Sequence, residues 1–506
     1  MMRPHRLSDY VTALGANVVT RSGLDDLDDP VITQVTYDSR EVRPGALFIC
    51  KGAHFRSEYL RQAITAGAVA YLSQQVYEFD DASVRLPYIL VSDMREAIAT
   101  AGTAFYDREW DRLTLIGITG TKGKSTTTIF LQSILAQWMA SQGKPRPGIM
   151  SSIRYEDGVE ATASVKTTPE TLELYGHLHN AVTAGLTQMC VEVSSQGLKY
   201  RRVANLTFEV AGFLNVSEDH ISPSEHEDYA DYLAAKLMIF TQARQAVVNA
   251  RTQEREAVMA AAAQCERVVT FSADTDTVAD VVGRDIAAVG SGQEFSVELD
   301  GVAHRFAIQM AGAFNVENAV AAIAIAWVMG VPVEHMRNGL ARARVPGRME
   351  VFHDAKGTTV IVDYAHQRLS VETLLDTVHS GYPDSPITMV FGAGGNKGLN
   401  RREELGVLAG RHADQIYLTE DDPGDVPIEE ICADLNRHIE SVGHAPGRVV
   451  RDRPAAIEQA IANAAPNGVV LVMGKGSEKW QLRGSTAVKV ASDIETVCGL
   501  VEANAE

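Results

Sequence analysis

The chain has 506 residues, with 65 acidic against 46 basic side chains and a net charge of -19. That sign excludes a general nucleic-acid binder, which needs a basic footprint, and argues against docking on an anionic membrane. Hydrophobic residues at 45% and charged ones at 22% are the mix of an ordinary globular protein, and the length suggests about three domains.

In chain order, residues 1 to about 112 hold short β-like runs at 31–37, 47–50 and 88–91, with a helix-like stretch over 60–67. No apolar segment follows the first residues, so no signal peptide is expected. A second block opens at 113–119, a continuous apolar strand that runs into a Gly-rich turn and a helical pattern over 125–139. Further buried strands are expected at 189–193, 210–214 and 246–249, and 273–310 reads as a β-rich insertion. The most apolar stretch, 319–333, is interrupted by Gly330 and Pro332 and falls short of the roughly 18–20 residues of a membrane span. A third block from 346 repeats the rhythm, with strands expected at 359–362, 387–391, 415–418 and 468–473. Alternating strands and helices predict an α/β fold with mostly parallel sheets, divided at 1–112, 113–345 and 346–506. Five cysteines, Cys50, Cys190, Cys265, Cys432 and Cys498, are far apart and form no CxxC pair. They read as buried thiols in a reducing, cytoplasmic compartment.

The sharpest motif is Gly117-Ile118-Thr119-Gly120-Thr121-Lys122-Gly123-Lys124-Ser125. Glycines let backbone N–H groups turn towards phosphate oxygens, and the following helix N-terminus favours an anion. Lys124 can reach terminal phosphates, and the Ser125 hydroxyl can ligate Mg²⁺. Strict phosphate-loop spacing asks for Gly where Ile118 stands, so the loop is a variant. The plainer reading, a Gly-rich turn with an incidental Lys-Ser, sits poorly with the buried strand before it and Thr126-Thr127-Thr128 after it.

Further strings accompany the loop. The first block carries Tyr37-Asp38-Ser39-Arg40 and Pro44-Gly45-Ala46-Leu47-Phe48. The second carries Thr167-Thr168-Pro169, Glu192-Val193-Ser194-Ser195, Arg202, Asn215, Asp219-His220, Lys236 and Gly312-Ala313-Phe314-Asn315-Val316-Glu317-Asn318. The third carries Gly347-Arg348-Met349-Glu350, Asp363-Tyr364-Ala365-His366, Gly394-Gly395 and Gly474-Lys475-Gly476. In number and order these resemble the Mur ligases, ATP-dependent enzymes that add amino acids to the peptidoglycan precursor. The match extends over nearly the whole chain, and the first block looks like the uridine-nucleotide-binding domain of the third ligase of that series.

The resemblance implies three domains: a small uridine-nucleotide-binding domain, a central P-loop ATPase and a Rossmann-like domain that receives the amino acid. It implies a carboxylate phosphorylated by ATP to an acyl phosphate, which an amine then captures. Gly120, Thr121, Lys122, Gly123, Lys124, Ser125 and Thr126 would hold ATP with Asn315, Asn318, Arg348 and Asp363. Ser125, Glu192, His220 and Lys236 would place Mg²⁺, with Lys236 carbamylated by CO₂, and Lys124, Lys236 and His220 would be catalytic. From the residues alone, Glu192 could be an exposed strand-end carboxylate and Lys236 a snorkelling lysine. One of the two asparagines could be a helix N-cap, and His366 a strand-to-loop cap. Ser39, Thr167, Thr168, Ser194 and Arg202 match positions that hold the UDP-sugar dipeptide, although Tyr200 stands where the family often has Gln.

The acceptor is read from departures. Relatives that add meso-diaminopimelate carry Asp-Asn-Pro-Arg, whose Arg grips the distal carboxylate. Here the string is Asp421-Asp422-Pro423-Gly424, with Lys397 upstream in place of Arg and Gly476-Ser477-Glu478 downstream. A pocket containing Lys397, Asp421, Asp422 and Glu478, acidic at its far end, suits a side chain ending in an ammonium. The expected reaction is therefore addition of L-lysine to the D-glutamate of UDP-N-acetylmuramoyl-L-alanyl-D-glutamate by a monomer that binds small molecules, with neither nucleic acid nor membrane as partner. L-ornithine or meso-diaminopimelate as acceptor, a folylpolyglutamate synthase-like enzyme and a non-catalytic scaffold are the alternatives. A further alternative is that Asp421 and Asp422 only cap the next helix.

Overall fold

A computed structural model describes residues 5–22, 29–52, 55–78, 86–219, 221, 225–290, 292–395 and 400–503. The chain divides into two units: residues 1–272, 277–280 and 321–336 form the first, and 273–276, 281–320 and 337–506 the second.

The first unit contains a five-stranded sheet in the order Val18–Ser22, Tyr88–Val91, Ala68–Ser73, Ala46–Ile49, Gln34–Thr36. Only the edge strand Val18–Ser22 is antiparallel. Side chains alternate along a strand, so Leu47 and Ile49 join one apolar cluster with Leu7, Tyr10 and Ile98 while Ala46 and Phe48 join another with Leu60 and Ala63. Burial on both faces is why such strands are apolar throughout. The 31–37 run is not one strand. Val31–Ile32 pairs with His5–Arg6, and Gln34–Thr36 pairs with 46–48. Thr33 breaks it by donating its N–H to Gly45 O (2.9 Å) and its hydroxyl to Pro44 O (2.8 Å).

Eight further strands of this unit run in the order Ala161–Ala163, Arg154–Glu156, Gly148–Met150, Gln188–Glu192, Thr114–Thr119, Phe208–Phe213, Ala243–Asn249, Arg267–Ser272. From Gly148–Met150 onward all pairings are parallel. Thr114–Thr119 is central, with Glu192 opposite Ile118 and Phe213 opposite Thr119. The carboxyl ends of three strands are thus level, the edge of a parallel sheet where ligands bind.

In the second unit, Val281–Val289, Gly292–Leu299 and Val302–Ile308 form an antiparallel ladder, the β-rich insertion expected from sequence. A six-stranded sheet follows in the order Glu350–His353, Thr359–Asp363, Val469–Met473, Ile387–Phe391, Gln415–Leu418, Arg448–Val449. It is parallel except at Glu350–His353. The hairpin Trp480–Arg483 with Thr486–Lys489 was not expected, because its strands are short and largely polar. The α/β class stands, and among the described residues no helix is long and apolar enough to cross a membrane.

Candidate active site

The strand Thr114–Thr119 delivers the loop 120–123 to the N-terminus of the helix Lys124–Ser141. Gly123 makes the turn with φ 82°, a backbone state that glycine adopts without a Cβ penalty. Asn215, from the loop after Phe208–Phe213, brackets the turn. Its Oδ1 accepts Lys122 N–H (2.8 Å), its Nδ2 donates to Lys122 O (3.2 Å), and its carbonyl accepts Thr121 N–H (3.0 Å). The Thr121 hydroxyl lies 3.0 Å from Tyr232 OH.

Two lysines meet here. Lys124 Nζ donates to the carbonyls of Gly120 (2.9 Å) and Thr121 (3.2 Å), and Lys236 Nζ donates to the same Gly120 carbonyl (2.8 Å). Lys236 is 1% exposed, so it does not snorkel. Burial, with the charge of Lys124 added, lowers its amine well below the ordinary lysine range. Glu192 is also fully buried, which removes the exposed strand-end reading. Its carboxylate accepts the Ser125 hydroxyl (3.2 Å) and Ser152 N–H (3.1 Å), and the Ser125 and Ser152 hydroxyls are 2.7 Å apart. Thr126 is buried in the first turn. His220 lies outside the described residues.

Beside this cluster, Thr168 Oγ1 donates to Glu192 O (2.9 Å) and accepts Ser194 N–H (2.9 Å), and Ser194 caps the helix Ser195–Lys199. Arg202 Nη1 donates to Thr168 O (3.2 Å), and its Nη2 is 2.8 Å from Glu170. Glu170 also meets Lys51 and Lys166, each at 2.6 Å. Burial alone would raise its carboxyl, but these cations outweigh it and hold it at about 2. The Arg202 guanidinium is thus divided between a backbone carbonyl and a protein carboxylate. Thr167 is half-buried. Ser39 donates its hydroxyl to Gln62 (2.9 Å).

In the second unit, Asn315 and Asn318 are buried inside the helix Ala313–Val328, so neither is its N-cap. Asn315 Nδ2 donates to Ala311 O (2.7 Å), and Asn318 Nδ2 is 3.5 Å from Asn315 Oδ1. The Arg348 guanidinium lies over the Tyr364 ring at 4.1 Å. Asp363 accepts the N–H groups of Met349 and Ala365, each at 2.7 Å, while burial raises its carboxyl above the usual range. His366 Nδ1 lies 2.8 Å from Tyr364 O, consistent with a local strand-to-loop contact.

Asp421, Asp422 and Glu478 lie within one another's electrostatic reach, with Arg453 and Lys475 the cations that act on Asp421. Lys475 Nζ is 3.0 Å from Asp422 and 2.6 Å from Glu478, which also accepts Tyr364 OH (2.7 Å). Asp422 accepts Leu482 N–H as well (2.8 Å). Burial pushes the Asp421 carboxyl up to about 6 against the pull of Arg453 and Lys475. Gly474 packs on it so closely that a Cβ there would stand 2.3 Å from Asp421 Oδ2. The helix-capping alternative fails, since the next helix is Ile428–Ser441 and its cap residue is Pro427. Lys397 lies outside the described residues. Sequence reasoning missed Ser152, Tyr232, Glu170 and Arg453, which sit in no recognised motif; Asn215 and Lys475 lay in matched strings with no role attached.

A parallel sheet ending in a glycine loop, with lysines and a buried carboxylate around it, defines an α/β protein of the phosphate-loop class. Residues 118–326 match the family profile of the Mur ligase middle domain, and 347–476 that of the Mur ligase, glutamate ligase domain. The chain is 34% identical to UDP-N-acetylmuramyl-tripeptide synthetase of Lactobacillus delbrueckii subsp. bulgaricus, over 94% of this chain and 95% of that one. It is 35% identical to UDP-N-acetylmuramoyl-L-alanyl-D-glutamate–L-lysine ligase of Streptococcus thermophilus, over 91% of each. A solved UDP-N-acetylmuramoyl-L-alanyl-D-glutamate–2,6-diaminopimelate ligase superposes with a TM-score of 0.66 at 24% identity, covering 100% of both chains. The chain belongs to the Mur ligase family.

Proposed function

We propose that this protein is an ATP-dependent ligase that joins L-lysine to the D-glutamate carboxylate of UDP-N-acetylmuramoyl-L-alanyl-D-glutamate. Substrate duties divide along the chain. Residues 1–112 take the uridine nucleotide, 113–345 take ATP and 346–506 take the amino acid. The observation that carries the reading is the meeting of Lys124 and Lys236 on one carbonyl of the phosphate loop, beside the buried Ser125–Glu192 pair. Phosphoryl transfer to a carboxylate brings two anions together, and concentrated positive charge with preorganised N–H donors lowers that barrier. Lys124 and the loop N–H groups supply both.

The donor set at Glu192 fits Mg²⁺, a hard cation that takes carboxylate and hydroxyl oxygens. Ser125 and Glu192 would hold it, with His220 and a carbamylated Lys236 completing the placement. Bound there, it would neutralise phosphate charge. Lys236 suits carbamylation because burial lowers its amine and so favours the neutral form, which attacks CO₂ and then loses a proton. Asn315, Asn318, Arg348 and Asp363 are assigned to the nucleotide. Thr167, Thr168, Ser194, Arg202 and Ser39 are assigned to the UDP-linked dipeptide, whose anionic groups would compete with Glu170 for Arg202. With the acyl phosphate formed, the amine attacks its carbonyl carbon, a tetrahedral intermediate forms and phosphate leaves.

Lysine as acceptor is supported by the three carboxylates Asp421, Asp422 and Glu478, two of which share Lys475 among the described residues while the third lies near Arg453 and Lys475. Relatives at 33–35% identity that are named L-lysine ligases point the same way. The test is phosphate release from ATP with the UDP-dipeptide and L-lysine, L-ornithine or meso-diaminopimelate in turn. L-lysine should give the largest kcat/KM. Strong preference for meso-diaminopimelate would overturn the pocket argument, and no amino-acid-dependent release would leave a binding scaffold.

A further inference from the structure

Arg453 opens the helix Arg453–Ala462, and its side chain is 4% exposed. Its guanidinium forks onto Asp493, with Nε to Oδ1 at 2.6 Å and Nη2 to Oδ2 at 2.8 Å. The remaining contacts go to backbone: Nη1 donates to Glu420 O (3.2 Å) and Nη2 to Met473 O (2.7 Å). Asp493, 2% exposed, accepts Gly476 N–H at 3.0 Å. The two carbonyls have a common property. Glu420 directly precedes Asp421-Asp422, and Met473 directly precedes Gly474-Lys475. One buried ion pair therefore ties together the two loops that carry the carboxylates and the lysine of the acidic cluster.

We infer that Arg453 and Asp493 are a positioning pair for the acceptor amino acid. This rests on reading the acidic cluster as the amino-acid site. Neither residue has the exposure to touch a ligand; they act through the loops they hold. A buried ion pair is a poor route to stability, because desolvation offsets much of its Coulomb gain. What it supplies is direction: the planar fork spans a carboxylate and two carbonyls at once, which a lysine ammonium on a flexible stem cannot do. The distances that depend on it are those from Lys475 to Asp422 and Glu478, and the packing of Asp421 on Gly474. A displacement of about 1 Å between such groups can cost on the order of 100-fold in rate.

The experiment compares the full chain with Arg453→Lys and Asp493→Asn in the phosphate-release assay, varying each substrate in turn. Both variants should raise the acceptor KM about tenfold or more while leaving the KM values for ATP and the UDP-dipeptide within about twofold. Asp493→Asn keeps the size and one acceptor oxygen, so it carries the test should the arginine variant fold poorly. An acceptor KM within about twofold of wild type, or all three KM values rising together, overturns the inference. Failure of the underlying reading looks different: wild type itself would then show no release dependent on a diamine.

Discussion

Lys236→Ala tests the core of the reading. The substitution deletes one hydrogen bond, to Gly120 O at 2.8 Å, from a side chain that is 1% exposed. In stability terms the lost bond is worth about 1 kcal/mol and the cavity adds to it, while removal of a desolvated amine offsets part of the loss. In activity terms the effect should be much larger. Placement of a charge-neutralising cation is worth several kcal/mol in the transition state, so loss of about 3 kcal/mol lowers kcat by a factor on the order of 100. Acetate or another short carboxylate, diffusing into the vacated space, should restore part of it. The pH dependence has a defined sign. In CO₂-free buffer the folded amine is lowered, so between its folded value and about 10.4 the unfolded chain binds the extra proton. Wild-type stability should then rise with pH across that window, and the alanine variant should lack the rise. Phosphate release and urea melts measure the two effects. Full activity of Lys236→Ala, or a loss that no carboxylate relieves in a folded variant, would refute the carbamate role.

Two further outcomes are expected. Because the Asp421 carboxyl sits at about 6, it should protonate as pH falls through that value, and the acceptor KM should climb below it; Asp421→Asn should raise the KM about tenfold at neutral pH and flatten that limb, and a limb that persists in the variant would remove Asp421 from the argument. Asn215→Ala should unbracket the phosphate loop, costing about 1–3 kcal/mol in denaturant melts and raising the ATP KM, since Lys122 N–H loses its 2.8 Å acceptor; an unchanged ATP KM would show the loop holds itself.

The phosphate loop and its flanking strand and helix were legible in sequence because every contributing residue is local. A continuous apolar run, a glycine turn and a hydroxyl-rich helix start need no partner to be recognised. The parallel strands at 189–193, 210–214, 359–362, 387–391, 415–418 and 468–473 were legible for the same reason, since burial on both faces makes them apolar throughout. The Thr33 break was not, because its N–H and hydroxyl are taken by 44–45, a loop whose position depends on the sheet.

Motif and chemistry alone determined which residues can handle a phosphate, a cation or an ammonium group. Tertiary structure decided how those residues are engaged: that Lys236, over a hundred positions from Gly120, ends on its carbonyl, that Glu170 and the Thr168 carbonyl share the Arg202 guanidinium, and that Lys475 pairs with Asp422 and Glu478. Local sequence sets backbone preference and side-chain type. Partnership between groups far apart along the chain is fixed only when strand register and loop packing bring them within about 3 Å, the range over which a hydrogen bond or ion pair acts.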